Sequence, residues 1–128
     1  MPVITQKIIK RSDCQSNPDV LYLFGDNSLR VGFGGQAAEM RGEPNAIGVR
    51  TKETPDMASN AFFYDCTYEL NCSKIDHDLS RAIHHLENGG IVVIPEDGLG
   101  TNLARLASTA PQTFIYLNEQ LGRLREIV

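Results

Sequence analysis

Five apolar residues in succession, Val20–Phe24, and four more, Ile91–Ile94, stand out from a chain whose other apolar positions are mostly interleaved with polar ones. Unbroken runs of that length suit strands covered on both faces. Val3, Ile4, Ile8 and Ile9 alternate imperfectly with Thr5, Gln6 and Lys7, so Val3–Lys10 reads as a strand near a sheet edge. Ala46-Ile47-Gly48-Val49 reads as a short buried strand. Helical spacing takes over at Ile75, Leu79, Ala82, Ile83 and Leu86, which define one apolar face. Ser73 with Asp76 suits the start of that helix as a variant capping box, and Asn88-Gly89-Gly90 suits its end. Phe114, Leu117, Leu121 and Leu124 mark a last helix whose first turn holds Pro111. Gln36–Arg41 is a shorter helix-forming run. Ser12–Asp19 and Arg50–Asn60 lack a period and read as loops, the second placed to close over a site. Gly42-Glu43-Pro44-Asn45 breaks the chain, and Ala61–Tyr64 reads as either a strand or aromatic packing under the second loop.

Strands alternating with helices predict an α/β fold, a layered sheet with helices on both faces, and 128 residues predict a single domain. Ligands of such folds bind beyond the carboxyl ends of the central strands. The two fully apolar runs are each followed by a glycine-containing loop. After the first come Gly25-Asp26-Asn27 and then Gly32-Phe33-Gly34-Gly35, which leads into Gln36-Ala37. After the second comes Glu96-Asp97-Gly98-Leu99-Gly100-Thr101-Asn102. If the two strands are parallel neighbours, both loops lie on one rim with a cleft between them. Glycine admits positive φ and lacks a Cβ, so backbone N–H groups can converge on a close ligand. A helix start adds unpaired N–H groups, an arrangement suited to phosphate or diphosphate. The competing reading is that the glycines serve only tight strand-to-helix turns.

Composition narrows the ligand. Sixteen acidic against twelve basic residues leave a net charge of −4, which argues against sequence-independent binding to nucleic acid. No apolar run approaches membrane-spanning length and Met1–Thr5 does not open a signal sequence, so a soluble cytoplasmic protein with no membrane partner is expected. Cys14, Cys66 and Cys72 lack CxxC or zinc-site spacing and read as reduced, buried thiols with no adjacent base. His77 and His84 are about 10 Å apart along a helix and His85 faces elsewhere, so no metal site is expected from them. No cofactor is expected; Asp26, Glu96 and Asp97 could hold Mg²⁺ only together with a bound diphosphate. The glycine spacing is not that of a GxGxxG dinucleotide fingerprint. Arg30, Arg41, Arg50 and Lys52 cluster around the first loop and the following strand, and read either as a solvated face or as positive charge that helps to retain a phosphate.

Asn27 with Gly32–Ala37, and Asp97-Gly98-Leu99-Gly100-Thr101 after a later strand, resemble the macro domain, the ADP-ribose-binding module, in order and spacing from about Tyr22 to Leu124. The FGDN…GGQA…GEPNA…DGLGT pattern is also similar to that of small uncharacterised phage and bacterial proteins. The macro-domain resemblance implies that Gly34, Gly35 and Gln36 offer backbone N–H groups to one phosphate, with Gly25 and Gly32 as further ligand-binding residues of the same loop. It implies that Gly98, Leu99, Gly100, Thr101 and Asn102 wrap the diphosphate from the other side. Asn27 would then sit near the distal ribose, with Asp26 or Asp97 as general base in a hydrolase. The expected function is binding of an ADP-ribose-type nucleotide, as a reader or a sequestering protein. The alternatives are a hydrolase of ADP-ribose linkages or phosphates, and an interaction module with purely structural glycines.

Overall fold

The computed structural model describes residues 2–101 and 104–127. Four strands, β1 (Val3–Gln6), β2 (Val20–Asn27), β3 (Ala46–Lys52) and β4 (Ile91–Pro95), form one sheet in the order β1-β4-β2-β3. Every pairing is parallel. The helices are α1 (Arg11–Ser16), α2 (Ala37–Met40), α3 (Tyr68–Glu87), α4 (Leu106–Thr109) and α5 (Pro111–Glu126). Among the described residues, no helix is long and apolar enough to cross a membrane.

The two-residue period of a strand explains why β2 and β4 are apolar throughout. Leu21, Leu23, Val92 and Ile94 point to one face, where Ile75, Leu79 and Leu86 of α3 and Leu117, Leu121 and Leu124 of α5 cover them. Tyr22, Phe24 and Val93 point to the other, against Cys14 of α1 and Ala37 and Met40 of α2. The sheet is therefore covered by helices on both faces, the α3/α5 side carrying the larger core. Each fully buried leucine there contributes about 1.5–3 kcal/mol of transfer free energy.

Local differences from the sequence-based expectations have physical causes. Residues 11–16 are a helix rather than loop because tertiary bonds hold them, although only Cys14 is buried. The buried Asn45 side-chain amide reaches the carbonyls of Cys14, Asn17 and Val20 at 2.9–3.0 Å. Arg11 pairs with Glu43 at 2.6 Å. Helix α3 starts at Tyr68 with Thr67 as N-cap, so Ser73 is an exposed residue inside the helix and not its cap. The buried face simply continues upstream: Cys72 is buried, and Asn71 donates to the Tyr64 carbonyl and to Thr113 Oγ1. Asp65 also caps α5, accepting from the N–H groups of Gln112 and Thr113. Ala61–Tyr64 is aromatic packing with a single antiparallel bridge, Lys52 to Phe62, and no separate strand. All three cysteines are free thiols, but Cys66 is exposed where a buried residue was expected.

Candidate functional site

Strands β2 and β4 are parallel neighbours, and the helices that follow them lie on opposite faces of the sheet, α2 after β2 and α5 after β4. This is the switch point at which an open α/β sheet leaves a crevice beyond its strand ends. A cleft of about 240 Å³ opens there. It is lined by Gly25, Asp26 and Asn27 at the end of β2 and by Gly32, Gly34, Gly35 and Gln36 of the first loop. Asp97, Gly98, Leu99, Gly100 and Thr101 of the second loop face them. Asn102 lies outside the described residues. Leu99 offers the cleft only its backbone, since the residue is 2% exposed within the main core.

Asp26 anchors the first loop. Gly25-Asp26-Asn27 does not leave the sheet as a polar turn; it remains in β2, paired with Val49, Arg50 and Lys52 of β3. The Asp26 carboxylate takes Arg41 Nη2 at 2.5 Å and Arg30 Nη1 at 3.1 Å. It also accepts the Asn27 N–H at 2.8 Å. Gly48 of β3 is glycine because a Cβ there would collide with this carboxylate. Arg41 additionally holds the carbonyl of Gly32 at 2.7 Å and that of Val31 at 3.2 Å, so the guanidinium fixes the loop as well as the acid. Arg30 continues the chain of charges to Asp78 on α3 at 2.6 Å, and Arg50 meets the same carboxylate at 3.0 Å. The Arg50 N–H on the outer edge of β3 is also taken up by Asp78, at 2.8 Å. Arg50 therefore faces α3 and is not a cleft residue. Arg30 supports the cleft through Asp26.

Asn27 is similarly committed. Its amide donates to the Val31 carbonyl at 2.7 Å and accepts the Leu29 N–H at 3.1 Å, closing the turn that begins the first loop. Asp97 differs from both: it is exposed, and among the described residues its carboxylate has no ion-pair or hydrogen-bond partner. Among the described residues no three His, Cys, Asp or Glu side chains gather as metal ligands, and Asp26, one of the three acids considered for Mg²⁺, is turned to its arginines.

Backbone N–H groups without a partner occur on both sides of the cleft. Among the described residues, the N–H groups of Gly34, Gly35, Gln36 and Ala37 donate to no group of the chain, and neither do those of Leu99, Gly100 and Thr101. Gly35 at φ 58° and Gly98 at φ 81° take conformations that disfavour other residues, with open space where a Cβ would be. Gly25 lies beside the second loop, where a Cβ would stand at ordinary contact distance, 3.8 Å, from Gly100 N. Gln36 Oε1 is a buried acceptor with no partner among the described residues.

Two lysines complete the lining. The register between β2 and β3 slips at Asp26/Asn27 so that Thr51 is an extra residue. Thr51 and Lys52 consequently both face the cleft, where strict alternation would turn one away. Lys52 is 7% exposed, and burial lowers its pKa from the ordinary lysine value, with Arg105 acting in the same direction and Asp56 opposing. Lys7, after β1, lines the opposite end of the cleft. The sequence reading missed Lys7, Thr51 and Asp78. Asp78 had a signal, because a carboxylate at helical spacing between Ile75 and Leu79 stands on an apolar face and needs a partner.

No curated protein and no solved structure matches this chain at a significant level. Residues 4–120, nearly the whole of the parallel sheet and both glycine loops, match one described family, and the chain belongs to it: DUF7831, a family of unknown function.

Proposed function

We propose that the chain binds an ADP-ribose-type or related nucleotide in the cleft between its two glycine loops, as a reader or a sequestering protein. The observation that carries the reading is that both loops line one cleft at the β2/β4 switch point with backbone N–H groups that have no partner among the described residues. Such groups suit the oxygens of a diphosphate. Lys7, Arg41 and Lys52 add positive charge there in a chain whose net charge is −4. Gln36 Oε1, buried and without a partner among the described residues, would supply an acceptor for a sugar hydroxyl once its side chain turns to the ligand. A cleft of about 240 Å³ lies below the roughly 300–1,000 Å³ that encloses a drug-sized ligand. It accommodates the diphosphate and an adjoining sugar, with the remainder of the nucleotide over the mouth, where Val31, Phe33 and Met57 are exposed.

Binding is favoured over hydrolysis because Asp26 is committed to two guanidinium groups and Asn27 to its turn. In a hydrolase the base would be Asp97, a cleft carboxylate with no partner among the described residues. Titration calorimetry with ADP-ribose, with AMP and NAD as comparison ligands, tests the proposal. Saturable heat with ADP-ribose that Gly35→Glu abolishes in a folded protein is the expected result. No heat with any of the three would leave the glycines as architecture alone. Release of products by wild type and its loss in Asp97→Asn would move the assignment to a hydrolase.

A further inference from the structure

Lys52 is a buried cation that, among the described residues, has no carboxylate at ion-pair distance, Asp56 favouring its charge only from further off. Its ammonium donates to the Asp56 carbonyl at 2.8 Å, touches the Met57 sulfur at 3.7 Å and lies 4.8 Å from the centre of the Phe62 ring. One oxygen acceptor therefore serves three N–H groups. Among the described residues no carboxylate lies within ion-pair distance of it, whereas the buried acids Asp26 and Asp78 are each paired with two arginines. A second cation stands close by: the Arg105 guanidinium lies over the same Phe62 ring at 5.9 Å, on a residue whose backbone is left-handed at φ 48°. Two positive groups share one ring with no carboxylate at ion-pair distance among the described residues, which raises the local potential, and desolvation strengthens the interaction with an anion that answers it.

We propose that Lys52 sets the charge selectivity of the cleft, its ammonium taking an oxygen of a phosphate or diphosphate group of the ligand. The proposal rests on the nucleotide reading for its location and deepens it by naming the group that separates a phosphorylated ligand from a neutral nucleoside. A role in stability alone does not account for the residue, because a buried charge that lacks a carboxylate at ion-pair distance among the described residues opposes folding. The charged groups around Lys52 are Asp56 on its own segment, Arg105 before α4, and Lys7, Asp26, Arg41 and Asp97 along the cleft. A bound anion favours the charged amine, so binding takes up a proton under alkaline conditions. Affinity falls as pH rises through the lowered pKa of Lys52.

The experiment is calorimetric titration of inorganic diphosphate, and separately of ADP-ribose, into wild type, Lys52→Met and Lys52→Gln at several pH values, with thermal unfolding of each. The expected result is diphosphate affinity lowered about 10- to 100-fold in both variants. The alkaline decline should vanish, and the Lys52→Met melting temperature should be unchanged or higher. Equal diphosphate affinity in wild type and variants, or no diphosphate binding by wild type, overturns the proposal. If ADP-ribose binds wild type and both variants alike, the charge role falls and the nucleotide reading stands. If Lys52-dependent diphosphate binding occurs without ADP-ribose binding, the nucleotide reading falls and the charge role stands.

Discussion

The two glycine loops that face each other across the cleft are held by different forces. The first is held by charge: Asp26 grips Arg41, Arg41 grips the carbonyls of Val31 and Gly32, and Arg30 carries the connection on to Asp78 in α3. The second is held by shape. Gly98 N–H closes a turn on the Pro95 carbonyl, Leu99 is sunk in the core, and Gly100 at φ 78° lies against Leu106. The difference means that the first loop depends on residues far from it in sequence and on their ionisation. The second depends on local backbone geometry and on the main core.

Removing the charge at the centre of the first arrangement has the largest effect. Asp26→Asn leaves Arg41 and Arg30 without their shared carboxylate, and breaking a buried pair by deleting one partner costs about 3–5 kcal/mol. Urea unfolding should show a loss of that order, and hydrogen exchange should rise in the first loop and not in residues 95–101. A loss below about 1 kcal/mol would mean that the network is a surface feature.

The matching disruption of the second loop is steric. In Gly100→Ala the new Cβ would sit 2.8 Å from Leu106 Cδ2 and 3.1 Å from its Cβ, on a backbone already at positive φ. Strain and crowding together cost about 2 kcal/mol. Unfolding measurements should find this loss with exchange in the first loop unchanged. Equal loosening of both loops would show that they are one cooperative unit.

This contrast also explains what was legible in the sequence. The shape-held parts were: two apolar runs gave the central strands, and glycines after each gave the loops that meet across the cleft. The charge-held parts were only half legible. Arg30, Arg41 and Arg50 stood out as a cluster, but their partners Asp26 and Asp78 are 52 residues apart, and nothing local announces that pairing. Gly48 carried a readable hint, since a glycine inside a short buried strand marks close approach of another group. The α1 segment was illegible because Asn45 and Arg11 hold it through tertiary bonds, with no apolar stripe of its own. Lys52 turned inward because of a register slip, a feature that no periodicity displays.

A smaller effect follows from pH. Burial alone would raise the Glu53 pKa, but hydrogen bonds from Lys74 and Ser28 and the charges of Lys74 and Arg50 outweigh it, so the pKa is lowered. A lowered carboxyl pKa contributes stability above the unfolded-state value of about 4.3 and loses it as pH falls through the folded value. The Glu53 side chain is 39% exposed, so solvent screening limits the contribution to about 0.5 kcal/mol. Glu53→Gln should therefore be slightly less stable than wild type near neutral pH, and denaturant curves should converge in acid. A difference that persists or widens in acid would assign the contact to packing.

The smallest stability effect is expected where the two loops meet, and it separates architecture from function. Gly25 lies between them, and a Cβ there would find Thr51 Oγ1 at 3.6 Å and Gly100 N at 3.8 Å, ordinary contact distances without backbone strain. Gly25→Ala should unfold within about 0.5 kcal/mol of wild type. The added methyl nevertheless stands on the floor of the cleft, beside an N–H group that donates to nothing else among the described residues. Ligand affinity should fall although stability does not, because a group approaching the Gly100 N–H meets the methyl first. If Gly25→Ala instead loses stability and leaves binding intact, the glycine serves the packing of β2 against the second loop, and the ligand lies elsewhere along the cleft.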